Sequence, residues 1–379
     1  MSPKRGILMT GTSGFIGGEL LGRLISQQTD ANVHCLLRAR DAEQLEQRRR
    51  ALIAWAGIGV VDADRVKAVA GDITDPLLGL GSTWQRLASE VEEIYHSAAS
   101  TKFDLSLEDA RAVNRDGARH VLEFARQADR NGGLRRLHYL STAYVVGDQE
   151  GIFGEDAAAD KPRFRNTYEA TKWEGEQLLA PERAGVPVTC YRPSIVVGDS
   201  RTGRTLHFRV LYDPVRWIYQ GKLQVLPCRP RLRLDVVPID FVCDALLALA
   251  ARDDTEGGTF HLTSGPERAA SISELIEIAV AAVNRYHAEI GAPPIVPPAI
   301  LSLDEQPTGT PEERERAENI RSAAQAIAGG HIPYMTTEQL FDTRRSQALL
   351  EGTGIDCPPL CDYFDQIVRW GIERGFTSR

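Results

Sequence analysis

Short apolar runs alternate with longer amphipathic stretches through the first 265 residues. GILMTG, NVHCLLR, VKAVAGD, EEIYHSA and RLHYLST have the composition of strands, and helical patterns start at Gly14, run through Arg50 and run through Ala128 between them. That rhythm predicts parallel βαβ units. Two more apolar strands follow at PVTCYRPSIVVG and TFHLTSG, separated by a stretch of different character from Asp199 to Leu234, which reads as an insertion. Beyond Gly265 the pattern turns helical. SISE supplies a capping box from Ser271 and Glu274, and APPIVPPAI interrupts the helical run. TPEERERAENIRSAAQAIAGG then restarts it, with Thr310 as cap, Pro311 at the first helical position and Glu313 closing the box.

A chain of 379 residues with 42% hydrophobic content can bury a sizeable core, as one large domain with an appendage or as two domains. The formal net charge of −8 argues against an extended nucleic-acid surface, which needs a basic field. Six scattered cysteines, and an opening MSPKRGILMTG without a secretory pattern, fit a reducing cytoplasm. Cys357 and Cys361 in CPPLC lack a second pair or a histidine partner, so they read as small buried hydrophobes and no metal is expected. No apolar run approaches the roughly 18 residues of a membrane span.

TGTSGFIG lies between the first strand and the first helix, with Gly11, Gly14 and Gly17 evenly spaced and Thr12, Ser13, Phe15 and Ile16 between them. Glycine suits a sharp turn whose backbone must approach a diphosphate seated on a helix N-terminus, although the spacing differs from the standard G-x-G-x-x-G. The second strand ends at Arg38, where a protein that binds NAD would carry an acid for the ribose hydroxyls. An arginine there favours NADP, because a guanidinium engages a 2′-phosphate that a carboxylate would repel. Arg48 on the next helix either reaches the same phosphate or is plain surface charge. These features predict a Rossmann-type doubly wound parallel sheet. Residues 1–198 and 235–265 would form its NADP-binding domain, and 199–234 with 266–379 a smaller, mostly helical substrate-binding lobe.

NTYEATKWEGEQLL places Tyr168 and Lys172 four residues apart on one helix face. With ten tyrosines and six lysines, about 0.16 such pairs arise by chance, so the single occurrence is worth a chemical reading. A phenol is a poor proton donor near pH 7, and a neighbouring ammonium stabilises its anion. YLSTAYVVG, at the end of a strand, offers a hydroxyl for a carbonyl oxygen that becomes negative as hydride adds.

With these residues the chain resembles the extended short-chain dehydrogenase/reductases. The resemblance runs in order through TGTSGFIG, AGDIT, HSAA, VNRDG, LSTAYVVG, YEATK, YRPSIVVGDSRTG and DVVPID. It implies that Thr142 is the hydroxyl (with Ser141 the lesser candidate), Tyr168 the acid, Lys172 its partner and a ribose ligand, and Asn114 a support of the proton relay. It also implies that Asp72 and Ile73 flank the adenine, while Ser97, Ala98, Ala99, Pro193 and Ile195 line the cofactor cleft. Asp72 and Asp240 have a plainer reading as turn or helix caps, which for Asp240 is the preferred one.

CLLRARD, HSAASTKFD and STAYVVGD look most like the branch holding thioester reductase domains, carboxylic acid reductases and fatty acyl-CoA reductases. That likeness implies NADPH-dependent reduction of an acyl thioester to an aldehyde, and possibly on to an alcohol, with the acyl group on CoA or on a carrier protein supplied in trans. Arg209, Arg216, Lys222, Arg229, Arg231 and Arg233, with Trp217 and Tyr219, form a surface for a phosphopantetheine phosphate or an acidic carrier; arginines simply standing in water are the alternative. The second enzyme reading is an NADP-linked dehydrogenase or epimerase of a secondary alcohol, sterol-like or sugar-nucleotide. A third, cofactor binding without turnover, sits poorly with an intact Thr142, Tyr168 and Lys172.

Overall fold

The computed structural model describes residues 5–157, 160–181, 185–208, 211–303, 310–315, 318–319, 322, 334 and 336–377. Seven parallel strands form the central sheet: β1 (Arg5–Thr10), β2 (Ala31–Leu37), β3 (Val66–Ala70), β4 (Val91–His96), β5 (Arg136–Leu140), β6 (Val188–Pro193) and β7 (Thr259–Leu262). Their order is β7-β6-β5-β4-β1-β2-β3. All seven are the apolar runs read from the sequence. β5, β6 and β7 are buried along their whole length, as expected where helices cover both faces of a parallel sheet.

The chain leaves β1 toward β2 and β3, then returns to place β4 on the other side of β1. Thr10 is paired with Leu36 on one side and His96 on the other. This reversal opens a crevice at the carboxyl ends of β1 and β4, where ligands bind in doubly wound sheets. Helix α1 (Phe15–Gln27) fills one face of the sheet, turning Leu20, Leu21, Leu24 and Ile25 inward. The other face is covered by α2 (Gly117–Arg130), whose Phe124 meets Trp84 edge-on at 5.0 Å. Helix α3 (Thr167–Leu179) follows the same face, and α4 (Ile239–Ala250) packs beside α1.

A second core lies outside the sheet. Tyr212, Val215, Ile218, Leu226 and Leu232 of the 199–234 stretch pack with the buried stripe of α5 (Ile272–Ile290) and with Tyr363, Phe364, Ile367 and Val368 of α6 (Leu360–Glu373). Ser271 and Glu274 form the capping box of α5, and Thr310 and Glu313 exchange reciprocal bonds. Much of the stretch after Glu315 lies outside the described residues. Between these parts the chain returns to the sheet domain: Gln339–Phe341 pairs with Gly151–Phe153, and the helix Arg344–Leu350 packs on α4 and β7. Five cysteines are buried, whereas Cys361 of CPPLC is exposed. Among the described residues no helix is long and apolar enough to cross a membrane, and no cluster of ligating side chains could hold a metal.

Candidate active site

The glycine turn is shaped by close packing. Gly11 has φ +76°, and a Cβ there would lie 2.4 Å from the Ala98 nitrogen; a Cβ on Gly17 would lie 2.3 Å from the Gly11 carbonyl oxygen. The turn is therefore pressed against the loop leaving β4. Gly14 begins α1 without any side-chain cap, and the first turn holds no acid, so the positive end of the helix carries no side-chain acceptor of its own. This fits a diphosphate. Ser97 lies against Gly17 of the turn, its hydroxyl donating to the Thr10 carbonyl at 2.8 Å. Ala98 N reaches Thr10 Oγ1 at 3.4 Å, and Ala99 follows in the same loop.

Beside the turn is a cavity of about 210 Å³ lined by Thr12, Ser13, Leu37, Arg48, Trp55 and Leu206 among others. Arg38 stands at the end of β2 with 76% of its side chain exposed and its Nη1 3.9 Å from Asp72 Oδ2. Asp72 accepts from the backbone N–H and hydroxyl of Thr74, both at 2.9 Å, so it holds a turn as well as facing the guanidinium. The Ile73 carbonyl is gripped by the His120 ring at 2.8 Å. A larger cavity, about 460 Å³, lies around His261, Thr263 and Cys357 at the sheet edge and contains none of these groups.

Helix α3 carries Tyr168 and Lys172. Asn166 caps it by accepting from the Glu169 N–H at 3.0 Å. Lys172 is 2% exposed; its ammonium donates to the Leu140 carbonyl at 2.6 Å and lies 4.3 Å from the centre of the Tyr139 ring. Burial pushes this ammonium down to about 8. Burial also holds His96 neutral, with its pKa down to about 3, and the Lys172 charge adds to that.

Burial raises the Tyr168 phenol to about 12, the nearby Thr142 hydroxyl opposes the rise, and the Glu169 carboxylate adds to it. Burial thus opposes the expected acidification of the phenol, and the Lys172 ammonium is held by the Leu140 carbonyl. Thr142 accepts from the Tyr144 N–H at 3.3 Å. Its neighbour Ser141 is buried, its hydroxyl without a hydrogen-bond partner among the described residues.

Asn114 is 1% exposed and sits in a single π-helical turn, Ala112–Asp116, a distortion frequent at functional sites. Its amide accepts from Ser100 N at 2.8 Å and donates to the Ser100 carbonyl and to Thr171 Oγ1 at 3.1 and 2.9 Å. It thus ties the loop after HSAA to α3. Pro193 ends β6, and Ile195 borders both the second core and the aromatic cluster around Tyr144.

Two expectations need correction. Asp240 does not cap α4, whose cap is Pro238; its carboxylate accepts from Ser200 N at 2.9 Å and from the Ser200 hydroxyl, tethering the insertion loop. The basic stretch is largely neutralised: Arg216 pairs with Asp213, Arg229 with Glu150 and Arg233 with Glu338, while Lys222 and Arg231 stay exposed. Arg209 lies outside the described residues. The sequence reading also passed over Arg204, whose guanidinium lies 4.6 Å from the Trp55 ring and pairs with buried Glu19.

The family profile described as Male sterility protein matches residues 9–246. Over 278 residues the chain is 31% identical to the nonribosomal peptide synthetase asaC of Aspergillus flavus, covering 69% of this chain and 26% of that protein. It is 28% identical over 303 residues to a carboxylic acid reductase of Mycobacterium tuberculosis, covering 72% and 26%. The chain thus spans about a quarter of the length of these curated relatives. A solved structure, the terminal R domain from the myxalamid PKS-NRPS biosynthetic pathway, shares 27% identity at a TM-score of 0.80, covering 100% of this chain and 92% of that one.

Proposed function

From the premise that this chain belongs to the Male sterility protein family, within the extended short-chain dehydrogenase/reductases, we propose that it is an NADPH-dependent reductase of acyl thioesters. The observation that carries this reading is Tyr168 one helical turn from buried Lys172, whose ammonium donates to the Leu140 carbonyl at the end of the strand that leads into Thr142, on a fold shared with a terminal R domain. The uncapped N-terminus of α1 and the Gly11–Gly17 turn would hold the diphosphate. Arg38 and Arg48 would hold the 2′-phosphate, and the absence of an acid at the end of β2 supports NADPH over NADH.

Bound there, a reduced nicotinamide supplies hydride to the thioester carbonyl carbon. The chain's own groups handle the oxygen. Thr142 and Tyr168 donate to it as its charge grows, and Tyr168 gives up the proton. Lys172, which donates to the Leu140 carbonyl, would hold the ribose hydroxyls of the cofactor and supply positive charge for the phenolate. Asn114 keeps the Ser100 loop and α3 in register while this occurs. Cleavage of the carbon–sulfur bond then releases thiol and aldehyde, and a second turnover on the aldehyde gives alcohol.

The large relatives suggest an acyl group delivered on a carrier protein or on CoA. Following NADPH oxidation with acyl-CoA, acyl-pantetheine, aldehyde, ketone and secondary-alcohol compounds tests the assignment. Turnover of a thioester with release of free thiol is expected. Activity confined to ketones and secondary alcohols would replace the reading with a dehydrogenase, and NADPH binding without turnover on any compound would remove it.

A further inference from the structure

The first turn of α3 carries a buried charged cluster that the chemistry above does not use. Glu169, next to Tyr168, is wholly buried. Its carboxylate accepts from the Arg165 N–H at 3.1 Å, from Arg165 Nε at 2.9 Å and from the Tyr334 hydroxyl at 2.7 Å. The Arg165 guanidinium lies 4.3 Å from the Tyr334 ring centre and 5.4 Å from that of Tyr144, and it donates to the Gln339 side-chain oxygen. Gln339 in turn donates to the Gly147 and Gln149 carbonyls, both at 2.7 Å, on the segment that leaves Thr142.

Tyr334 closes the arrangement from above. Its hydroxyl accepts from Asn166, the cap of α3, at 2.9 Å, and its ring stacks on Phe103 at 5.6 Å; the Phe103 ring is 6.1 Å from that of Tyr168. One set of contacts therefore grips the helix bearing Tyr168, the segment bearing Thr142 and the loop after HSAA. A buried ion pair adds little net stability over apolar packing, whereas several directed bonds to one carboxylate restrict the geometry of the groups that make them.

We propose that Arg165, Glu169, Tyr334 and Gln339 are positioning residues that hold Tyr168 against Thr142. Tyr334 and Gln339 then complete the active site from outside the 9–246 stretch that defines the family. The proposal rests on the role given to Tyr168 above, and it assigns a catalytic consequence to a part of the chain whose packing alone would look structural.

The test compares Tyr334→Phe and Glu169→Gln with the wild type on an acyl thioester and on an aldehyde. Tyr334→Phe keeps the ring against Phe103 and Arg165 and removes the bonds to Glu169 and Asn166. Its kcat is expected to fall about tenfold, the effect of one hydrogen bond to a charged group. KM and the NADPH Kd should stay within about twofold, the signature of an interaction that matters in the transition state. Glu169→Gln leaves the Arg165 charge without its partner and should show the same split with a larger loss of kcat. Wild-type kcat in both variants overturns the proposal. A fall in kcat matched by equal losses of NADPH affinity and melting temperature also overturns it, because that marks general destabilisation. If the wild type reduces aldehyde but no thioester, the substrate reading fails and the split measured on aldehyde still decides the positioning role.

Discussion

Lys172 brings an ammonium into a place that water does not reach, and its proton affinity records the cost. Because its folded pKa of about 8 lies below the ordinary lysine value of 10.5, the unfolded chain binds more protons between those values. The burial penalty is thus complete below about pH 8, and stability recovers as pH rises through that window. Activity has the opposite sign, since the charged form is the one that serves the phenolate. A profile of kcat/KM from pH 6 to 10 should fall above about pH 8; a flat profile to pH 10 would mean that the charge is not needed. At the other end of the cofactor, Arg38→Asp should weaken NADPH by about 10- to 100-fold and leave NADH nearly unchanged, as expected for loss of a charge-assisted phosphate contact. Titration of both nucleotides checks this, and equal losses would speak against phosphate recognition.

Among the elements, the turn from β1 to α1 tolerates little change. Gly17→Ala places a methyl group 2.3 Å from the Gly11 carbonyl oxygen, and the backbone shift it forces should cost roughly 1–3 kcal/mol. Urea unfolding measures this directly, and a wild-type midpoint would show that the turn can relax. The strands were legible in the sequence because each is a local apolar run bounded by turn residues. The pairing of Tyr168 with Lys172 on one helix face was legible for the same reason, from spacing alone. What the pattern concealed depends on partners far along the chain. Asp240 looked like a helix cap until Ser200, 40 residues away, took its carboxylate. Arg229 and Arg233 looked free until Glu150 and Glu338 met them. Arg165 and Glu169 did carry a local signal, opposite charges four residues apart, but nothing in the spacing says that Tyr334 seals the pair from water.

At the scale of the molecule, two cores meet along the cleft, and Arg204 is one of the bolts between them. From the insertion it reaches back to stack on Trp55, to donate to the Trp55 carbonyl at 2.9 Å and to pair with Glu19 of α1. Glu19 keeps Arg23 as a second partner, so Arg204→Ala should cost a modest amount, about 1–2 kcal/mol from the lost stacking and hydrogen bond. Chemical denaturation reads that loss, and an unchanged midpoint would show that the insertion docks without it. The account as a whole turns on Tyr168 as the acid beside the reacting oxygen. The most direct measurement is the rate of thioester-dependent NADPH oxidation by Tyr168→Phe, with NADPH affinity determined on the same preparation. A fall of about 10²- to 10⁴-fold in kcat with cofactor binding intact is the predicted result; turnover at the wild-type rate would contradict it.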